Sequence, residues 1–173
     1  MSGTNRLIST ELATLAERAL ALAGERRLGI VTAESCTSGL LASALSEAPG
    51  AAMLLHGGFV TYTKANKIAA LGVPRDLLEG PCGAVSIEVA AAMAEGALAR
   101  SPADIAIAIT GVAGPSPDED GNPVGWVCMA VARTSLPVSV LERTYGDIGR
   151  DAVRERAMID ALGEVERLLG MSA

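Results

Sequence analysis

The chain holds one histidine, His56, and two lysines, Lys64 and Lys67, so any nucleophilic chemistry must be built from few groups. A Ser-His-Asp triad would have to use His56, and a His-rich metal site is impossible. His56 sits in an apolar run beside Gly57-Gly58, a setting that suits a locally hydrogen-bonded structural histidine better than a general base. The bases left for a hydroxyl nucleophile are a lysine of lowered pKa, a tyrosinate or a carboxylate. Lys64 and Lys67 follow Tyr62 and lie three apart, on one face if the segment is a short helix.

Ser35 is the hydroxyl of most interest. It stands in Thr32-Ala33-Glu34-Ser35-Cys36-Thr37, between a β-branched run and a helix start, where unpaired helix-terminal amides are available to an oxyanion. Ser35, Thr37 and Ser38 also suit a plain helix cap, and on local pattern alone the cap is the commoner role. For the lysines the ordinary alternative is a solvated helix face, and for Tyr62 a half-buried strand residue with a wet hydroxyl. Arg150 and Arg154, four apart, could grip a phosphate at the start of a last helix, or could pair on the surface with Asp151 or Glu155. Those two readings stand even.

The elements that must position these residues follow from apolar spacing. Leu12, Leu15, Ala16, Ala19, Leu20 and Ala23 recur at helical intervals behind Ser9, predicting an amphipathic helix over 9–22. Residues 28–33 read as a buried strand and 40–45 as a helix, so Ser35 lies at a strand-to-helix turn. A second strand over 54–62 is followed by a short helix over 64–71 that stops at Gly72 and Pro74. Ser86 caps a helix running to Ala99, and the apolar stretch 104–110 is a central strand.

Residues 111–125 carry four Gly, three Pro and three acids, too interrupted for an element. They form a long loop whose glycines suit either close approach to a phosphate or sugar, or a lid. Strands over 125–132 and 139–145 are antiparallel neighbours, and a last helix spans 150–169. The pattern predicts an α/β fold: a three-layer α/β/α sandwich around a mixed sheet of about five strands, in one domain over 1–173. Ligands of such sheets bind outside the carboxyl ends of the parallel strands, and here those ends carry Ser35, Tyr62 with Lys67, and Thr110-Gly111.

Composition narrows the partners. The net charge is −6 and there are only four aromatic residues, Phe59, Tyr62, Trp126 and Tyr145, which argues against nucleic acid as a partner. Cys36, Cys82 and Cys128 are odd in number and lack CxxC spacing, disfavouring a disulfide framework or zinc ribbon and fitting a reducing cytoplasm. Residues 1–7 do not resemble a signal peptide and no apolar run reaches membrane-spanning length. A soluble cytoplasmic protein with no membrane partner is expected. Alanine-rich helical faces make a symmetric homodimer the default assembly.

These segments, in this order, resemble the CinA C-terminal family. The likeness rests on Thr32-Ala33-Glu34-Ser35-Cys36-Thr37, Gly58-Phe59-Val60-Thr61-Tyr62 with Lys67, Leu71-Gly72-Val73, Gly83-Ala84-Val85-Ser86, Thr110-Gly111-Val112-Ala113-Gly114-Pro115, Pro123-Val124-Gly125, and Gly146-Asp147 leading into Arg150 to Arg154. The resemblance implies hydrolysis of the carboxamide of nicotinamide mononucleotide, a pyridine mononucleotide, to nicotinate mononucleotide and ammonia in pyridine nucleotide salvage, with neither metal nor other cofactor. It implies Ser35 as nucleophile, Lys67 as its base, and Tyr62 as the partner that orients or relays the proton. Glu34, Cys36, Thr37, Ser38, Gly39, Thr110, Gly111, Gly114, Arg150 and Arg154 would bind substrate.

The chain departs from the family pattern in two places. Ser38 stands where the family has the first glycine of Glu-Ser-Cys-Thr-Gly-Gly, which predicts a narrowed pocket. The family's Gly-Asp-Arg is stretched to Gly146-Asp147-Ile148-Gly149-Arg150. A non-catalytic nucleotide-sensing or partner-binding module, or an amidase for another small carboxamide, are the alternative functions.

Overall fold

The computed structural model describes residues 8–81 and 83–170. Cys82 and residues 1–7, which enter the expectations above, lie outside them. Five strands form one sheet in the order β2-β1-β3-β4-β5: β1 (Ile30–Glu34), β2 (Leu55–Val60), β3 (Ile105–Gly111), β4 (Trp126–Arg133) and β5 (Ser139–Thr144). β1 pairs in parallel with both β2 and β3, while β3 with β4 and β4 with β5 are antiparallel. The sheet is mixed, as the sequence predicts, and all three parallel strands end on the same side.

Side-chain size assigns the two faces. Along β3, Ile105, Ile107 and Ile109 point into one core with Val127, Met129 and Val131 of β4. That core is covered by α1 (Thr10–Glu25), α2 (Leu40–Ser46) and a long terminal helix (Arg150–Gly170). The alternate residues Ala106, Ala108, Cys128, Ala130 and Ala132 face the other core. Small residues there let the alanine-rich helix Ile87–Ala99 lie close to the sheet, with Ala90, Ala94 and Ala97 fully buried. Alternation with period two thus sorts bulky from small residues onto opposite layers.

The helix starts are set by caps: Ser9 Oγ accepts from Leu12 N at 3.2 Å and Ser86 Oγ from Val89 N at 3.1 Å. Between the first strands lie α3 (Ala51–Leu54), α4 (Lys64–Asn66) and α5 (Arg75–Leu78). The Ile87–Ala99 helix is then α6 and the terminal one α7. The predicted helix over 64–71 is split: α4 passes directly into a π-helical turn over Lys67–Leu71, which Gly72 closes at φ +70°.

One expectation fails in this region. His56 is exposed, because β2 is an edge strand whose residues alternate between partial burial and exposure. Its ring makes no hydrogen bond among the described residues, so it is neither base nor structural anchor. Among the described residues, no helix is long and apolar enough to cross a membrane.

Candidate active site

Ser35 is the first residue beyond β1. Its N–H continues the ladder to Ile109 O of β3 at 2.9 Å, so the strand geometry carries through to the backbone of Ser35. On the other side of β1, Thr61 N bonds Glu34 O at 2.8 Å just beyond β2. The two parallel pairings therefore place Ser35 and Thr61 side by side at the sheet's carboxyl edge.

Lys67 enters this junction from the first residue of the π turn. Its side chain is fully buried, and Nζ stands 2.7 Å from Ser35 Oγ and 2.8 Å from Thr61 O. Among the described residues no carboxylate pairs with it. Burial, which penalises the charged form, holds its pKa down at about 8 from the ordinary 10.5. The solvated helix face that Lys residues usually occupy is thus excluded for Lys67. A neutral amine here donates one N–H to Thr61 O and turns its lone pair to the Ser35 hydroxyl.

Glu34 has a different role from the substrate contact expected of it. Its fully buried carboxylate accepts Gly39 N at 2.9 Å, Leu41 N at 3.1 Å and Ala42 N at 2.9 Å, and the Thr32 hydroxyl at 3.0 Å. It therefore neutralises the start of α2 from within. The expectation that helix-terminal amides hold the oxyanion fails for the same reason, since Glu34 has taken them. In the turn directly after Ser35, the amides of Cys36 and Thr37 bond no acceptor of another described residue, and Ser38 N turns back to Ser35 O at 3.1 Å.

A cavity of about 490 Å³ opens in front of Ser35. Of the residues expected to bind substrate, Cys36, Thr110, Gly111, Gly114, Arg150 and Arg154 line it, and so does Tyr62. Glu34, Thr37, Ser38 and Gly39 do not. Ser38 is exposed, adopts φ +53°, and spends its hydroxyl on Ser35 O at 3.3 Å, so it does not narrow the pocket. Tyr62 is 60% exposed and its hydroxyl bonds neither Ser35 nor Lys67. The orienting contact to Lys67 comes instead from the Thr61 carbonyl, a backbone group without any side-chain signature in sequence.

Arg154 is anchored by its Nε to Cys36 O at 2.7 Å, while Arg150 is exposed one turn earlier. Neither forms an ion pair with Asp151 or Glu155 among the described residues, which removes the surface-pairing alternative. Both residues line the cavity from the N-terminal end of α7. The Thr110 hydroxyl donates to Ala84 O at 2.7 Å and so fixes the far wall. Burial pushes the Cys36 thiol up to about 11, which keeps it protonated near neutral pH. Sequence reasoning missed Lys64, Ala84 and the loop tip Asp118–Asp120 as walls of the cavity; the cluster of acids in a loop already suspected as a lid was the one available signal.

A sequence model of the CinA C-terminal domain matches residues 12–169. The chain belongs to that family. A relative from Pseudomonas putida named nicotinamide-nucleotide amidohydrolase PncC is 45% identical over 133 residues, covering 77% of this chain and 81% of that protein. A competence-damage inducible relative from Symbiobacterium thermophilum is 44% identical over 172 residues, 94% of this chain. The chain spans only 40% of that protein's length. Among solved structures, the competence/damage inducible protein CihA from Agrobacterium tumefaciens superposes with a TM-score of 0.88 at 40% identity, covering 99% of this chain and all of that one. The three-layer sandwich on a mixed five-stranded sheet is thus the fold of this CinA-family chain.

Proposed function

We propose that the chain hydrolyses the carboxamide of nicotinamide mononucleotide to nicotinate mononucleotide and ammonia, with Ser35 as nucleophile and Lys67 as general base. The observation that carries the reading is the 2.7 Å contact between Ser35 Oγ and Nζ of a fully buried lysine, whose pKa burial lowers to about 8. The relative from Pseudomonas putida supplies the substrate class.

In this reading Lys67 takes the Ser35 proton as Oγ attacks the carboxamide carbon. The resulting oxyanion falls to the free amides of Cys36 and Thr37. Lys67, now an ammonium still held by Thr61 O, returns the proton to the departing nitrogen, and ammonia leaves. Water activated by the same amine then cleaves the acyl-enzyme. Arg150 and Arg154 hold the phosphate, aided by the positive end of α7. Tyr62 is a wall of the site, not a proton carrier.

The test is ammonia release from nicotinamide mononucleotide by the parent and by Ser35→Ala. Loss of turnover by about 10³-fold or more is expected. Near-parental turnover in the variant would remove Ser35 from the role. Calorimetry on the parent separates the remaining alternatives: binding of the mononucleotide without product would favour a sensor, and turnover of a different carboxamide alone would change the substrate.

A further inference from the structure

Lys64 stands three residues before the base, yet its side chain leaves the core and crosses to the long loop over 112–125. Its Nζ lies 2.6 Å from Asp120 Oδ1 and 3.6 Å from Glu119 Oε1. The other oxygen of Asp120 accepts Ala84 N at 3.4 Å. Asp120 seats in a recess that exists because residue 83 is glycine: a Cβ at Gly83, whose φ is +56°, would fall 1.7 Å from Asp120 Oδ2. One carboxylate thus joins the start of α4, the segment before α6, and the loop.

The tip that carries Asp120 is itself tightly bonded. Asp118 Oδ1 accepts Asp120 N at 3.0 Å and Asn122 N at 2.8 Å, Asp118 Oδ2 accepts Asn122 Nδ2 at 2.8 Å, and Gly121 N returns to Asp118 O at 3.1 Å. These bonds knit the tip together, and Asp120 ties it to Lys64 and Ala84. Lys64, Ala84 and Asp118–Asp120 all line the cavity in front of Ser35.

We infer that Lys64 and Asp120 are a positioning pair: their ion pair clasps the 112–125 loop across the cavity and holds its roof at the width the substrate needs. The inference rests on the proposed amidohydrolase reading for its kinetic consequence, and on geometry alone for the clasp. Neither residue touches the reacting atoms, so releasing the clasp weakens substrate binding and leaves the Ser35–Lys67 step intact. This distinguishes the pair from general structural support, which would lower kcat and stability together.

Two independent disruptions test it. Lys64→Ala removes the cation, and Gly83→Ala fills the recess without touching Lys64. Each should raise KM for nicotinamide mononucleotide about tenfold with kcat changed by less than about twofold, and Lys64→Arg should restore KM to within about threefold of the parent. An endoprotease that cuts after Asp and Glu should cleave at Asp118–Asp120 several-fold faster in both disrupted variants than in the parent. This arm needs no turnover, so it still judges the clasp if the parent proves inactive on the mononucleotide. Parental cleavage rates in both variants would overturn the clasp. Faster cleavage with an unchanged KM, in an active parent, would overturn its role in binding.

Discussion

At the scale of the residue, the proposed mechanism depends on Lys67 being a base near neutral pH. An exposed lysine would be almost fully protonated there, and only desolvation brings its pKa to about 8. Because the neutral amine is the active form, kcat/KM should climb with pH, roughly tenfold per unit well below 8, and level off above it. A rate measured from pH 6 to 9.5 checks this; a flat profile, or one that falls over that range, would exclude Lys67 as the base. The neighbouring Cys36 thiol, pushed up to about 11, stays protonated over the same range. Ser35 and Lys67 were both legible in the sequence as candidates and the family resemblance implied their pairing, but spacing and composition alone did not give it. The residues are 32 apart in the chain, and no local pattern states which way a lysine points. Nor could sequence show that a backbone carbonyl, Thr61 O, would orient the amine in place of the Tyr62 hydroxyl.

At the scale of the element, the turn from β1 into α2 is organised by a carboxylate that never meets solvent. Glu34 satisfies three amides at the start of α2, while the Cys36 and Thr37 amides beside Ser35 bond no other described residue. The same turn forces Ser38 to φ +53° and Gly39 to φ +91°, the left-handed region where a Cβ is disfavoured. Ser38, in the place of a family glycine, thus carries a side chain at a φ that favours glycine. The expectation of a narrowed pocket is not met, since Ser38 is exposed and outside the cavity. Ser38→Gly should therefore stabilise the fold by up to about 1 kcal/mol while changing turnover less than about twofold. Urea unfolding together with an ammonia assay measures both, and a marked gain in KM or kcat would mean that Ser38 does restrict substrate after all. The π turn is the other element that spacing misjudged. A regular helix would place Lys64 and Lys67 on one face, whereas the break at Lys67 sends one to the loop and the other into the core.

At the scale of the whole molecule, the buried lysine is a liability that the rest of the core must offset. Lys67 binds its proton more weakly when folded than when unfolded, its pKa being about 8 against 10.5. The unfolded chain therefore holds more protons between those values, and stability rises with pH across that window; below about 8 the full penalty applies. Lys67→Met, which keeps the volume and removes the charge, should abolish turnover and raise Tm at pH 7. The advantage over the parent should shrink by pH 10, where the native lysine is neutral. Melting curves of both proteins at the two pH values check the sign, and an advantage that grew with pH would contradict it.

The sequence by itself determined the layers of this protein, because burial is written in period: alternation in β3 and β4 separated isoleucine from alanine, helical spacing marked α1 and α7, and Ser9, Gly72 and Ser86 marked where elements begin and end. It also placed the candidate residues at the carboxyl ends of parallel strands, since a strand-to-helix turn is a local event. Tertiary structure alone decided what meets what. The contact of Lys67 with Ser35, the capture of the α2 amides by Glu34, the exposure of His56 on an edge strand and the reach of Lys64 to Asp120 all depend on strand order and side-chain direction, which are properties of the packed sheet and not of any stretch of chain.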